Sequence, residues 1–345
     1  MELRKDTKKV NLLSPATKFR SEYKLVEYRQ DPLTGSQSRL SLDRVKRVRQ
    51  TEQLGLDLRR IVEGSRGACF FCPENIDSDT PMFPPDLCPA GRIRRGECVV
   101  FPNLFPFAEF HAVGTLTEHH FLDIDEFTPE MLAYNLEAAR EYIGLIGRLA
   151  PEARYPMWVW NHLPPSGASI VHPHVQILVE REPAPEVSVI LERGERYFLS
   201  RGANFWLDLI ELERNLEQRY IGENDSLAVL ASYAPRGNRE VQLVFKDVGN
   251  LADINPKQAM DFATAVVKVL RCMKEMGVNS FNVITYSAAA GENPEYHRLS
   301  ARIVSRPVFH QAFYTGDCGF MERFFDVWVI ESMPEDVARL MRAGF

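Results

Sequence analysis

The chain has 345 residues, 45% of them hydrophobic and 26% charged, with a formal net charge of -6. That length suits two domains of about 100–200 residues, and the composition excludes a disordered, collagen-like or coiled-coil chain. A pI near 5.8 argues against a nucleic-acid partner, since such a surface must offset phosphate charge. No apolar run reaches the roughly 18–20 residues of a membrane span. The opening MELRKDTKKV lacks the apolar core of a signal peptide. Six cysteines are too sparse for a disulfide scaffold. A soluble cytoplasmic protein is expected.

The first sixty residues are polar and basic, with SPATKFR (Ser14–Arg20) and RVKRVRQ (Arg44–Gln50). They predict an extended arm and then a charged helix through Leu40–Val62. A Pro-rich connector from Cys72 to Arg92 forces extended backbone and turns. Strand-like runs follow at Glu97–Phe101, Ala112–Leu116 and Pro156–Asn161. Between the last two, Thr128-Pro129-Glu130 opens a helix to Leu149. Threonine can cap, proline suits the first helical position, and glutamate complements the dipole. Leu191–Tyr220 reads as a helical bridge.

The second half repeats the layout. Glu240–Lys246 is strand-like, Asn255-Pro256 opens a helix to about Met276, and Phe281–Thr285 and Ala301–Val304 read as strands. The two helices start 127 residues apart (256 − 129). Met157–Asn161 with Asn282–Tyr286, and Val175–Val179 with Ala301–Ser305, fall at nearly the same offset. This predicts an internally duplicated α+β chain of two tandem domains, 1–195 and 196–345, each an antiparallel sheet with packed helices.

Residues 161–176 read NHLPPSGASIVHPHVQ. His172 and His174 are two apart on an expected strand, so both point to one face, and Gln176 returns to it. Pro173 removes a backbone donor and fits an edge or irregular position. The Gly167-Ala168-Ser169 loop brings N–H groups and a hydroxyl close to an anion. A neutral imidazole, an uncharged amide and a small-residue loop together suit attack on a phosphorus centre.

Cys69-Phe70-Phe71-Cys72 is a Cys-x-x-Cys knuckle. Two cysteines grip one zinc ion only with two further ligands in a closed site. His120 and His172 are the natural supply, with His119 as the rival neighbour. A site completed by Cys88 and Cys98 is the all-cysteine alternative. A redox Cys-x-x-Cys would need a thioredoxin-like setting that the surrounding sequence lacks.

Together, Cys69-Phe-Phe-Cys72-Pro-Glu-Asn, Phe101-Pro-Asn103, Asn161, Gly-Ala-Ser169 and His172-Pro-His174-Val-Gln176 resemble the galactose-1-phosphate uridylyltransferase family of the histidine-triad superfamily. Related ADP-sugar and diadenosine-polyphosphate phosphorylases share the histidine-x-histidine-x-glutamine core. The opening ELRKD with Ser14-Pro15 and Arg20, and the closing Pro334–Arg342, resemble the family's ends. The resemblance implies two histidine-triad-like domains, the first (1–195) catalytic with the arm and zinc knuckle, the second (196–345) degenerate. It makes His174 the nucleophile that takes a nucleoside monophosphate from a nucleotide sugar. A sugar 1-phosphate, or alternatively inorganic phosphate, then accepts it in ping-pong fashion.

By the same resemblance Gln176 hydrogen-bonds the phosphoryl group; a further histidine there marks the hydrolases. Arg20, Asn103, Asn161, Gly167 and Ser169 fall at substrate positions; apart from the resemblance, the aromatics Phe70, Phe71, Phe101 and Phe105 by the knuckle are candidate walls of a base pocket. Cys69, Cys72, His120 and His172 fall at zinc ligands, His120 being chosen over His119 by its spacing to Thr128. Such zinc would be structural. A homodimer is expected on the same ground, and a catalytically dead nucleotide sensor is the non-enzyme alternative.

Departures from the family pattern are informative. Thr17 replaces an arginine of the arm, and Asn103-Leu104 replaces the asparagine-aspartate that contacts ribose. Tyr296-His297-Arg298-Leu299-Ser300 lacks paired histidines, so no second metal is expected, and Arg298 and Ser300 align with His172 and His174. His111, His162 and His310 have no partners in the sequence and are assigned structural or exposed roles.

Overall fold

The computed structural model describes residues 1–41, 58–309 and 319–345. Most of the expected helix over Leu40–Val62, including Arg44–Gln50, and also His310 lie outside the described residues. The basic arm is extended as expected but paired with itself. Strands β1 (Lys5–Ser14) and β2 (Arg20–Gln30) form an antiparallel hairpin. Its turn places Lys18 and Phe19 at positive φ. Strand β3 (Gln37–Leu40) joins this hairpin to the C-terminal β14 (Val327–Ile330) in a four-stranded sheet. Short helices α1 (Leu58–Glu63) and α2 (Ile76–Asp79) flank the Cys-x-x-Cys segment.

The remaining strands build one ten-stranded sheet. The first half supplies β4 (Ile93–Arg95), β5 (Cys98–Pro102), β6 (Phe110–Thr115), β7 (Tyr155–His162) and β8 (His174–Glu180), with helix α3 (Pro129–Leu149) between β6 and β7. Helices α4 (Pro185–Arg201) and α5 (Phe205–Leu216) lead to the second half. It contributes β9 (Tyr220–Glu223), β10 (Leu227–Ala231), β11 (Val241–Phe245), β12 (Phe281–Tyr286) and β13 (Ser300–Ser305), with α6 (Pro256–Glu275) between β11 and β12. Helices α7 (Phe320–Phe325) and α8 (Pro334–Met341) flank β14.

The strand order β4-β5-β6-β8-β7-β12-β13-β11-β10-β9 reads the same from either end once the halves are matched. Its centre is the antiparallel pairing of β7 with β12, with Asn161 opposite Asn282 and Trp160 opposite Val283. The duplication is therefore a two-fold arrangement within one continuous sheet. Position 195, the expected boundary, falls inside α4.

Period-two alternation decides which residues meet which layer. Trp158, Trp160, Val175, Ile177 and Val179 face α3 and α6 in a large core that also takes Leu136, Phe262 and Val266. On the opposite face of the second half, α4 and α5 lay Ile190, Phe205, Trp206 and Leu209 over Ala228, Leu230 and Val244. In the first half, no long helix among the described residues covers the same face. There Val99, Phe101 and Val113 pack against Cys69, Phe71, Cys72 and Ile76.

Helix α3 starts at Pro129 as expected, but the Thr128 hydroxyl makes no capping hydrogen bond. Asn255 does cap α6, in a reciprocal box with Gln258 at 2.9 and 2.8 Å. Replacing Asn255 by alanine is expected to cost about 1 kcal/mol, the usual value of an N-cap side chain. Thr128→Ala should cost well under half of that. Urea unfolding of both variants measures the difference, and equal losses would contradict it.

Candidate functional site

The knuckle-covered face of the first half gathers most of the residues singled out above. The strand expected to hold both histidines begins only at His174. Pro173 lacks the N–H to continue the ladder, although its carbonyl still accepts from Leu116 N at 3.0 Å. His172 thus lies just outside the strand, and its ring turns to the knuckle.

Four buried side chains, Cys69, Cys72, His120 and His172, bring one ligand atom each to within 4.8 Å of one another. Cys72 Sγ is 3.4 Å from His120 Nδ1 and 3.7 Å from His172 Nδ1, and Cys69 Sγ is 3.8 Å from the latter. Both rings point Nδ1 inward because their Nε2 atoms are engaged by backbone carbonyls: Val62 for His120 at 3.0 Å and Thr117 for His172 at 2.8 Å. Such outer partners fix tautomer and orientation in metal-binding histidines. Burial, then the adjacent Cys69, pushes the Cys72 thiol up to about 12, so a cation binding here displaces protons. His119 is exposed, whereas Cys88 and Cys98 engage Arg92 and Asn135 elsewhere. A buried Cys2His2 cluster able to bind a metal is the result.

His174 is 8% exposed. Its Nδ1 donates to the carbonyl of His172 at 2.8 Å, and among the described residues no hydrogen bond occupies Nε2. Burial lowers its pKa, partly opposed by that hydrogen bond. The Phe71 ring meets it edge-on at 5.3 Å, which makes Phe71 a wall of the site. Gln176 projects from the same face of β8, and its Oε1 lies 2.9 Å from His111 Nε2. His111 was assigned no partner from sequence, yet it is buried beside Gln176, and desolvation lowers its pKa. Asn103 does not stand free: its Oδ1 accepts from Phe105 N at 2.9 Å, and its Nδ2 lies 3.1 Å from His111 Nε2.

Asn161 Oδ1 accepts from Asn282 Nδ2 at 2.6 Å, and that amide also donates to the Ser166 carbonyl at 2.9 Å. Arg306 Nη1 in turn holds Asn282 Oδ1 at 2.8 Å. The second half therefore braces Asn161 and the loop after it, a role that no local signal announced. Gly167 has φ +96°, a conformation that favours glycine. Ser169 is exposed beyond it. Arg20 sits at the hairpin tip, where its carbonyl accepts from Thr17; among the described residues no hydrogen bond or ion pair ties it to this cluster.

The site is thus a buried histidine, its Nε2 without a hydrogen-bond partner among the described residues, set beside a Cys2His2 cluster on a duplicated α+β sheet. The chain has the fold of uridylyltransferase and ADP-glucose phosphorylase, matching the resemblance seen in its sequence. An ADP-glucose phosphorylase from Arabidopsis thaliana with bound ADP-glucose has a TM-score of 0.71 at 19% identity, over 92% of this chain and 98% of that one. A uridylyltransferase gives 0.68 at 17% identity, over 92% and 97%. An uncharacterized protein of Archaeoglobus fulgidus is 28% identical over 343 residues, 99% of this chain and 98% of its own length. No family model matches the chain. Among the described residues no helix is long and apolar enough to cross a membrane.

His162 shows most sharply what burial does to an imidazole here. It stacks on Phe281 at 5.0 Å, neither ring nitrogen has a hydrogen-bond partner among the described residues, and burial pushes its pKa down to about 3. The unfolded chain, with its ordinary value near 6.5, binds this proton first. Stability is thus fully present above about pH 6.5 and is lost as pH falls toward 3. His162→Phe is expected to flatten that acid slope in unfolding curves between pH 7 and 4; an unchanged slope would contradict the assignment.

Proposed function

We propose that the chain is a nucleotidyltransferase that carries a nucleoside monophosphate on His174. The observation behind this reading is the 2.8 Å bond from His174 Nδ1 to the His172 carbonyl. It holds one tautomer and presents Nε2 as a neutral nucleophile. Nε2 attacks the α-phosphorus of a nucleotide sugar, an N–P bond forms, and the P–O bond to the departing sugar 1-phosphate breaks. The proton stays on Nδ1, where the His172 carbonyl stabilises the imidazolium character of the adduct. An acceptor phosphate oxygen then attacks phosphorus and the N–P bond breaks, so no general base is needed. Gln176 donates its amide N–H to a non-bridging phosphoryl oxygen. Asn161, Gly167 and Ser169 line the phosphate side, and Phe71 walls the site.

A sugar 1-phosphate as acceptor makes the enzyme a hexose-1-phosphate nucleotidyltransferase, placing it in nucleotide-sugar metabolism. Inorganic phosphate as acceptor makes it a phosphorylase of an ADP-sugar or a diadenosine polyphosphate. The second gains support from Asn103, whose amide is engaged by Phe105 N and His111, and from Leu104 beside it. In this reading 1–195 is catalytic and 196–345 is a degenerate copy that braces it. A cytoplasmic location fits the five free, buried cysteines among the described residues. A homodimer fits the exposed Leu13, Phe19, Tyr23 and Leu25 of the hairpin.

Zinc is the proposed occupant of the Cys2His2 cluster. Tetrahedral zinc bonds to sulfur at about 2.3 Å and nitrogen at about 2.0–2.1 Å set neighbouring donors roughly 3.3–3.8 Å apart, and the contacts above run from 3.4 to 3.8 Å. With four protein ligands the ion would serve as a cross-link tying the knuckle to the start of β8. His172 thereby serves twice, as ligand through Nδ1 and as acceptor through its carbonyl.

Intact-mass spectrometry after brief mixing with ADP-glucose or UDP-glucose, without acceptor, tests the reaction. An AMP- or UMP-sized adduct is expected, absent from His174→Ala and discharged by phosphate or a sugar 1-phosphate. No adduct from either donor on metal-loaded protein would overturn the mechanism for these nucleotides. One zinc per chain is expected by elemental analysis. Cys72→Ser should lose most of it, lower the melting temperature and slow adduct formation by at least about tenfold, because misplacing the nucleophile by 1 Å is that costly.

A further inference from the structure

We infer that His111 is a positioning residue for Gln176: it holds the glutamine amide oxygen so that the NH2 group is left to meet the phosphoryl oxygens. The inference rests on the transfer mechanism proposed above. A free glutamine amide presents oxygen or nitrogen with little preference. An oxygen turned toward a phosphate would repel it, so the catalytic value of Gln176 depends on which end faces the substrate.

The structure supplies the device that decides. His111 and Val113 share a face of β6; Val113 is directly opposite Gln176, and His111 is the diagonal neighbour two residues back. His111 Nδ1 faces Phe107 N at 3.4 Å, where only an unprotonated nitrogen can accept. The ring proton is thereby assigned to Nε2, 2.9 Å from Gln176 Oε1. Phe107 also packs edge-on against the ring at 4.4 Å, which limits its rotation. Asn103 closes the other side: its Oδ1 is taken by Phe105 N, and its Nδ2, 3.1 Å from His111 Nε2, is the competing donor that favours the opposite tautomer, which the spectrum below discriminates.

The second half repeats the diagonal with different chemistry. Gln242 of β11 is opposite Arg302 of β13, and Glu240, two residues back, pairs with Arg302 at 3.5 Å. Both halves thus couple the central residue of the inner strand to a partner on the same neighbouring diagonal. Only in the first half is that pair uncharged and able to offer a free donor.

Two measurements test this. Long-range 1H–15N correlation spectra of the metal-loaded protein should show His111 as the neutral Nε2–H tautomer at pH 7; the Nδ1–H tautomer would overturn the inference. The second is a double-mutant cycle on the rate of adduct formation from ADP-glucose or UDP-glucose. His111→Leu should slow the wild type by about tenfold, the value of an oriented hydrogen bond, and slow Gln176→Ala by less than about twofold. His111→Gln, whose Nε2 reaches the same point, should recover most of the rate. Zinc content and melting temperature report whether each variant is folded. Equal penalties in both backgrounds, or no recovery with glutamine, would show a merely structural histidine while leaving the transfer reaction intact. A wild type that forms no adduct would remove the reaction and this role together.

Discussion

The antiparallel seam between β7 and β12 is the constraint on which the rest of the molecule depends. It converts two copies of one layout into a single sheet, because each copy would otherwise end in an unpaired strand edge. Once the seam is formed, α3 and α6 lie on the same face and share one apolar core. The seam also sets Asn282 against Asn161, so a residue of the second half contacts the loop that follows β7 in the first.

The two halves diverge through what covers the opposite face. In the second half α4 and α5 close it with Phe205, Trp206 and Leu209. In the first half that surface is left to a short knuckle whose apolar content is small. Four side chains able to bind a metal are gathered there, and a bound ion would make up for the modest core, as small irregular segments often require. Among the described residues no long helix covers this face, on which His174 and Gln176 lie.

Neutrality runs through the site. Burial lowers the pKa of His111, His162, His172 and His174 alike, with no carboxylate in hydrogen-bonding contact with any of them among the described residues. Each ring of the working set is then fixed through backbone: His172 by Thr117, His174 by His172, His120 by Val62. Backbone acceptors orient an imidazole without raising its basicity as strongly as a carboxylate would. Under the proposed reaction, that suits His174 as a nucleophile which must stay unprotonated and then surrender its phosphoryl group.

Much of this was legible in the order of residues. The helix starts at Pro129 and Pro256, the strand runs and their common offset follow from local chemistry and periodicity, and those signals survive without tertiary context. The Cys-x-x-Cys and His-x-His-x-Gln spacings are equally local, which is why the metal cluster and the face of Gln176 could be anticipated. What the tertiary structure alone decided were contacts between residues far apart in the chain: His111 with Gln176, Asn282 and Arg306 with Asn161, and His120 rather than its neighbour turned to Cys72. Strand pairing and register set these. Pairing depends on which edges are left open and which faces need covering, and no single segment carries that information. The Thr128 hydroxyl is the converse case: a residue of capping type that makes no capping bond.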